Sequence, residues 1–120
     1  MDTAKRDAFE HAGINVDSAL RRFMDDEKIY CSFLYRFLSD NLMSQLSDAI
    51  ADGDVRQAFE VAHTMKGVCA NLSLDSINNI LNPMVEVLRK GSLDGLNEEY
   101  EKLSSVYSGV IAVIKQYCQA

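Results

Sequence analysis

The chain has 120 residues, 48% of them hydrophobic and 25% charged, with one Pro and six Gly; that size and balance suit a single domain over residues 1–120 and weigh against a disordered or multidomain reading of these residues. Lys and Arg number 12 against 18 for Asp and Glu, and the resulting net charge of −6 repels phosphate backbones and anionic headgroups, so neither nucleic acid nor a membrane is an expected partner. No apolar run approaches the roughly 20 residues of a membrane span, and Met1–Asp7 leads into no signal-peptide core, which makes a cytoplasmic location the expectation.

Scarce Gly and Pro and the absence of Trp argue against a turn-rich β-sandwich and for helices. The N-terminal stretch carrying His11 shows no cap, and that histidine has no chemically useful neighbours. Asp17 then offers an N-cap for a brief helix whose apolar face is Ala19, Leu20 and Phe23. From about Asp26 to Asp52, Ile29, Phe33 and Phe37, with Leu34, Leu38, Leu42, Leu46 and Ile50, keep the three-and-four spacing of one long amphipathic helix. Asp52-Gly53-Asp54 ends it: Gly53 suits a left-handed C-terminal position, and Asp54 caps the next helix.

Over Val55–Leu72, residues Ala58, Val61, Ala62, Met65, Val68, Cys69 and Leu72 fall within an arc of about 120° at about 100° per residue. Leu74, Ile77, Leu81, Met84 and Leu88 mark a fourth helix that stops at Arg89-Lys90-Gly91, with a kink or broken middle expected at Pro83. Leu96, Tyr100, Leu103, Tyr107, Val110, Ile114 and Tyr117 sustain one seam through a last long helix. Amphipathic segments joined by short turns bury their stripes most simply in an all-α, antiparallel up-and-down four-helix bundle with a short additional N-terminal helix. Cys31, Cys69 and Cys118 are an odd set without Cys-x-x-Cys spacing, so buried reduced thiols are expected, with neither a disulfide framework nor a zinc cage.

One histidine stands apart. His63 lies about 160° from the centre of its helix's apolar arc and so points to solvent. Phe59 at i−4, Lys66 at i+3, Gly67 at i+4 and Ala70 at i+7 share its side. A glycine inside a helix costs about 1 kcal/mol relative to Ala, and close approach of another backbone is a physical reason to keep Gly67. A neutral imidazole is a nucleophile near neutral pH, and a phosphoryl group on it comes within reach of the Lys66 ammonium. No Gly-rich phosphate loop or kinase motif is present, so the phosphoryl group must come from another protein. Glu60 and His63 form a Glu-x-x-His step, but a di-metal site needs a second such step and inward glutamates. Cys69 lies about 120° around the helix from His63, too far round to be a nucleophile that His63 serves.

At these residues the chain resembles the histidine-containing phosphotransfer (HPt) domains of phosphorelays. The likeness is carried by the contiguous run Ala62-His63-Thr64-Met65-Lys66-Gly67-Val68-Cys69-Ala70-Asn71-Leu72. It extends to Gly13-Ile14, Ala19–Phe23, Tyr30, Phe33–Leu38, Ala58 and Leu88–Gly91. The resemblance implies a monomeric carrier, not an enzyme, in which His63 accepts a phosphoryl group from the aspartate of one receiver domain and passes it to another. It implies that Lys66 steadies the phosphate, and that Gly67, with Ala70 and Phe59 on the docking side, lets the partner approach. Receiver domains of response regulators or hybrid histidine kinases are the implied partners. No cofactor is expected in the chain itself, which offers no convergent carboxylates, and Mg²⁺ is expected from the receiver. The alternative is an interaction module of the same fold that binds a receiver or kinase without being phosphorylated. Ser73 stands where the family often has Gly, and Pro83 interrupts a segment usually read as an unbroken helix.

Overall fold

The computed structural model describes residues 1–119. They form seven α-helices and no strand: α1 Thr3–His11, α2 Val16–Arg22, α3 Glu27–Phe37, α4 Leu42–Ala51, α5 Val55–Asn71, α6 Asp75–Arg89 and α7 Leu96–Tyr117. Helices α4, α5, α6 and α7 each pack on the next, and α7 returns to α4, closing a ring of four; α1 and α3 lie against α7, and α2 bridges α1 and α3. The core inside the ring is aliphatic, with Leu46, Met65, Ile77, Leu81, Leu103 and Ile114 among its largest fully buried side chains.

Several local features depart from the sequence reading. The N-terminal stretch is helical because the side chain of Asp2 accepts the Lys5 N–H at 2.8 Å and caps α1, while Phe9 buries one face of the helix against Tyr117. Helix α2 is capped by Asn15, which accepts the Ser18 N–H at 3.1 Å, so Asp17 is a first-turn residue; its carboxylate instead meets Arg6 at 3.0 Å. The expected long helix over 26–52 is two helices. The end of α3 tightens into i→i+3 bonds at Leu38, Ser39 and Asp40, and the Asp40 carboxylate accepts the Leu42 N–H at 2.6 Å. The Asp40 side chain thus gives the backbone a local partner that competes with helix continuation. Ile29 and Phe33, counted in the apolar stripe, are 48% and 40% exposed.

Pro83 does not break its helix: α6 runs unbroken from Asp75 to Arg89. Asn79, Asn82 and Pro83 lie on its exposed side, where the carbonyl that loses its partner is open to solvent, and Ile77, Leu81, Met84, Val85 and Leu88 anchor the helix on both sides of the proline. Gly53 takes φ +70 and Asp54 caps α5 through the Gln57 N–H at 3.0 Å, as expected. Ser73 adopts φ +58, the left-handed conformation that favours glycine. It is buried there, with its hydroxyl 3.2 Å from that of Ser18 and its carbonyl accepting the Asn15 N–H at 2.9 Å.

The expectation of three reduced thiols holds only for Cys69, which is buried and free. Cys31 and Cys118 are joined as a disulfide, with Cα atoms 5.2 Å apart. They are 87 residues apart in sequence, and they meet because α3 lies along α7, a juxtaposition that short-range spacing does not encode.

Candidate functional site

Helix α5 presents the site. Ala58, Val61, Ala62, Met65 and Cys69 are buried, while His63, Gly67 and Ala70 are exposed and Lys66 is half-buried. The apolar arc therefore fixes the roll of the helix and turns His63 outward. A Cβ placed on Gly67 would meet no atom within 4 Å, so nothing within the chain requires a glycine there. Its free space faces outward, beside the imidazole.

The imidazole is held on one side. The Phe59 ring stacks on it with centroids 5.6 Å apart and planes inclined by 25°, and the Arg89 guanidinium lies 5.1 Å from the centroid of the same phenyl ring. Arg89 comes from the last turn of α6 and is also held at 3.4 Å by Glu86. An aromatic ring attracts a cation through its quadrupole and stacks on another ring without demanding one fixed geometry, so Phe59 couples the α6 cation to the histidine. Arg56 and Glu60, 3.4 Å apart, occupy the exposed turn before His63. Among the described residues no carboxylate lies within salt-bridge distance of the Lys66 ammonium.

Two further contacts brace α5 beneath the site. The side-chain amide of Asn78 on α6 donates to the Lys66 carbonyl at 3.0 Å. The Tyr30 hydroxyl of α3 donates to the Leu72 carbonyl at 2.6 Å, at the C-terminal end of α5. Burial pushes the Tyr30 phenol well above its ordinary range, with the charge of Asp75 adding to it. The same cause raises the Cys69 thiol to about 12, with a smaller contribution from Asp40. Cys69 is therefore a protonated core thiol at neutral pH and no nucleophile.

Beyond Gly67, α5 borders an apolar groove of about 350 Å³ formed by Phe23, Phe33, Phe37, Val68 and Leu72, with Asn71 and Arg36 at its edge. The Arg36 guanidinium lies over the Phe33 ring at 4.9 Å. Met24, next to Phe23, and Ile29, one turn before Phe33 on α3, are also exposed. Among the described residues no three His, Cys, Asp or Glu side chains converge as a metal-ligating group, and no helix is long and apolar enough to cross a membrane. His11, at the end of α1, lies outside this neighbourhood and borders a shallow groove between α1 and α7.

All five residues singled out from sequence, Phe59, His63, Lys66, Gly67 and Ala70, thus lie on the outward side of one helix. Arg89, Asn78 and the groove were not anticipated as parts of the site. For the first two a usable signal exists: Ser73 is the turn between α5 and α6, and in a helical hairpin residues roughly equidistant from the turn face each other. Counting outward from Ser73 pairs Lys66 with Asn78 and Phe59 with Arg89 to within two residues. The groove joins α2, α3 and α5 and has no comparable signature.

A family model described as the Hpt domain matches residues 34–120, well over half of the chain. Comparison with curated proteins and with solved structures returned no match.

Proposed function

The chain belongs to the Hpt domain family, and on that premise we propose that it is a phosphoryl carrier of a multistep phosphorelay in which His63 accepts a phosphoryl group from the aspartyl phosphate of one receiver domain and yields it to the aspartate of another. The ring of four helices is read as an up-and-down bundle whose work is to hold α5 rigid. In the forward step a neutral imidazole nitrogen attacks phosphorus, an N–P bond forms, the bond from phosphorus to the aspartyl oxygen breaks, and the carboxylate leaves with the electron pair. The other ring nitrogen keeps its proton, and the phosphoryl oxygens carry the negative charge. The return step reverses these roles with a second carboxylate.

The observation that carries this reading is the combination at one turn of α5: an outward imidazole, an ammonium at i+3 without a carboxylate partner, and a glycine whose missing side chain opens outward. Lys66 lowers the energy of the charged phosphoryl oxygens, and Phe59 limits rotation of the imidazole so that its nitrogen keeps one direction of attack. Arg89, resting on Phe59, supplies a second positive charge on the same side. Gly67 and Ala70 let the receiver's loops come close, and the groove at Phe33, Phe37 and Val68 gives the receiver apolar surface next to them. The chain is a carrier and not an enzyme: it is consumed and regenerated with each transfer. Mg²⁺ comes with the receiver, whose carboxylates supply the hard oxygen ligands it prefers. A soluble, cytoplasmic, monomeric chain fits these partners.

The test is transfer from a receiver domain carrying radiolabelled aspartyl phosphate. The parent chain takes up label and His63→Gln does not, while both give the same helical spectrum. Equal uptake by the two would overturn the assignment.

A further inference from the structure

We propose that Cys31 and Cys118 are a site of reversible oxidative modification, a dithiol that closes to a disulfide and thereby fastens α3 to the end of α7. The two Cα atoms are 5.2 Å apart, within the span that a disulfide requires, so the backbone need not move for the bond to form or open. The pair occupies a mechanically sensitive place. Helix α3 packs on α2 and α7, and Glu27 at its start pairs with the Met1 ammonium at 3.4 Å and with Lys5 at 3.6 Å. Phe37 meets Tyr107 of α7 edge-on at 5.7 Å, and Tyr30 bonds the Leu72 carbonyl at 2.6 Å. Cys31 follows Tyr30 directly, so the bond to Cys118 fixes the turn of α3 that also braces the end of α5. Without it the first half of α3 is held by the Glu27 ion pairs with Met1 and Lys5, by the Tyr30 hydroxyl and by packing.

The site also has an entrance. Cys118 follows the last helical residue of α7 and has left the helix, with φ −116 and ψ 121; its N–H still bonds the Ile114 carbonyl at 2.7 Å. Its side chain is buried, as is that of Cys31, so exchange waits on fraying of the last turn, and helix ends open at low free energy. A small disulfide is the oxidant. The Cys118 thiolate attacks one sulfur of glutathione disulfide, forming a mixed disulfide and releasing one glutathione thiolate. The Cys31 thiolate then attacks the Cys118 sulfur, forming the intrachain bond and releasing the second glutathione. Two protein thiols and one glutathione disulfide become one protein disulfide and two glutathione thiols, with protons and electrons conserved. Excess reduced glutathione runs the sequence backward. Cys69, buried and free on α5, takes no part. Disulfides in a reducing compartment are chiefly transient or sensory, which is the character assigned here.

The experiment equilibrates the full chain in glutathione buffers of graded ratio, quenches in acid, denatures it and counts alkylatable cysteines by mass. The expected count is one under oxidising conditions and three under reducing conditions, through a single reversible transition, with peptide mapping assigning the protected pair to Cys31 and Cys118. Amide exchange over α3 is expected to be about tenfold or more slower in the oxidised form. Cys118→Ser, chosen because it alters the end of a helix and not its middle, should show the fast exchange at every ratio. A pair that stays reduced at the most oxidising ratio, or that takes up two separate glutathiones, overturns the proposal. So does a bond that excess reduced glutathione cannot open. Reversible closure with unchanged α3 exchange would refute the fastening role.

Discussion

The ring of Phe59 lies against the imidazole of His63, 5.6 Å between centroids and 25° between planes, one helical turn before it on α5. A side chain that restricts the histidine from one side while leaving the other open acts on the geometry of attack and not on the chemistry itself. Phe59→Leu keeps the apolar contact with the core but loses the stack and the seat for Arg89. Helix content should be unchanged and transfer slowed by roughly three- to tenfold, the equivalent of the 0.5–1.5 kcal/mol typical of an aromatic pair. Single-turnover transfer kinetics at saturating receiver measure this, and an unchanged rate would show that the stack is packing only.

In the proposed transfer Lys66 and Gly67 have different roles, charge for one and room for the other, so their variants should fail differently. Lys66→Ala should preserve receiver affinity and slow transfer by up to about tenfold, the worth of a partly exposed charge pair of order 1 kcal/mol. Gly67→Gln should raise stability by about 0.5–1 kcal/mol, since a helical glycine with nothing near its Cβ position is replaced by a better helix former, yet weaken receiver binding. Gly109, also helical and also open, supplies the control: Gly109→Gln should stabilise similarly without affecting transfer. Thermal unfolding and receiver titration of the two glycine variants separate these effects.

Gly13 is constrained from inside the chain. Its φ is +86, and a Cβ built there would overlap the Cβ of Ser76, whose N–H bonds the Gly13 carbonyl at 3.0 Å and whose hydroxyl bonds the Ala12 carbonyl at 2.8 Å. Gly13→Ala combines a left-handed backbone with an overpacked contact and should destabilise the fold by about 2–4 kcal/mol. Urea unfolding measures the loss, and a change below about 1 kcal/mol would contradict the close approach.

Stability should depend on alkaline pH. Tyr30, Cys69 and Tyr107 are all pushed above their ordinary values, chiefly by burial. An acid whose folded value is raised contributes stability that is fully present below its unfolded value and is lost as pH rises through the folded one. Cys69 therefore acts between its ordinary value of 9.0 and about 12, and the tyrosines begin near 10.0. The denaturation midpoint should stay level up to about pH 9 and fall above it, and Cys69→Ala should move the onset toward pH 10. A midpoint that declines equally in parent and variant from pH 9 would contradict the assignment of the first step to Cys69.

Where the sequence is explicit, periodicity carries the reason. The apolar arc of α5 and the seam of α7 recur at helical spacing without interruption, so both helices and the outward side of His63 follow from counting residues. The split between α3 and α4 escapes that count because Phe37, Leu38 and Leu42 keep the spacing across Asp40, whose carboxylate marks the break by accepting the Leu42 N–H. Pro83 misleads in the opposite sense, since an exposed carbonyl can lose its partner to water while buried residues on both sides keep α6 continuous. Cys118 reaches Cys31 through the packing of helices far apart in sequence, which only the three-dimensional arrangement supplies, whereas the Phe59–Arg89 contact follows from counting outward from the α5–α6 turn.

His63 is the proposed phosphoryl carrier, and phosphorus NMR on the intact chain after exposure to a phosphorylated receiver reads the linkage itself. One phosphoramidate resonance is predicted, lost in mild acid, stable in base and absent from His63→Gln, with fragment masses placing the added phosphate on His63. A base-labile acyl phosphate, or a phosphoramidate that persists in His63→Gln, would rule out His63 as the carrier.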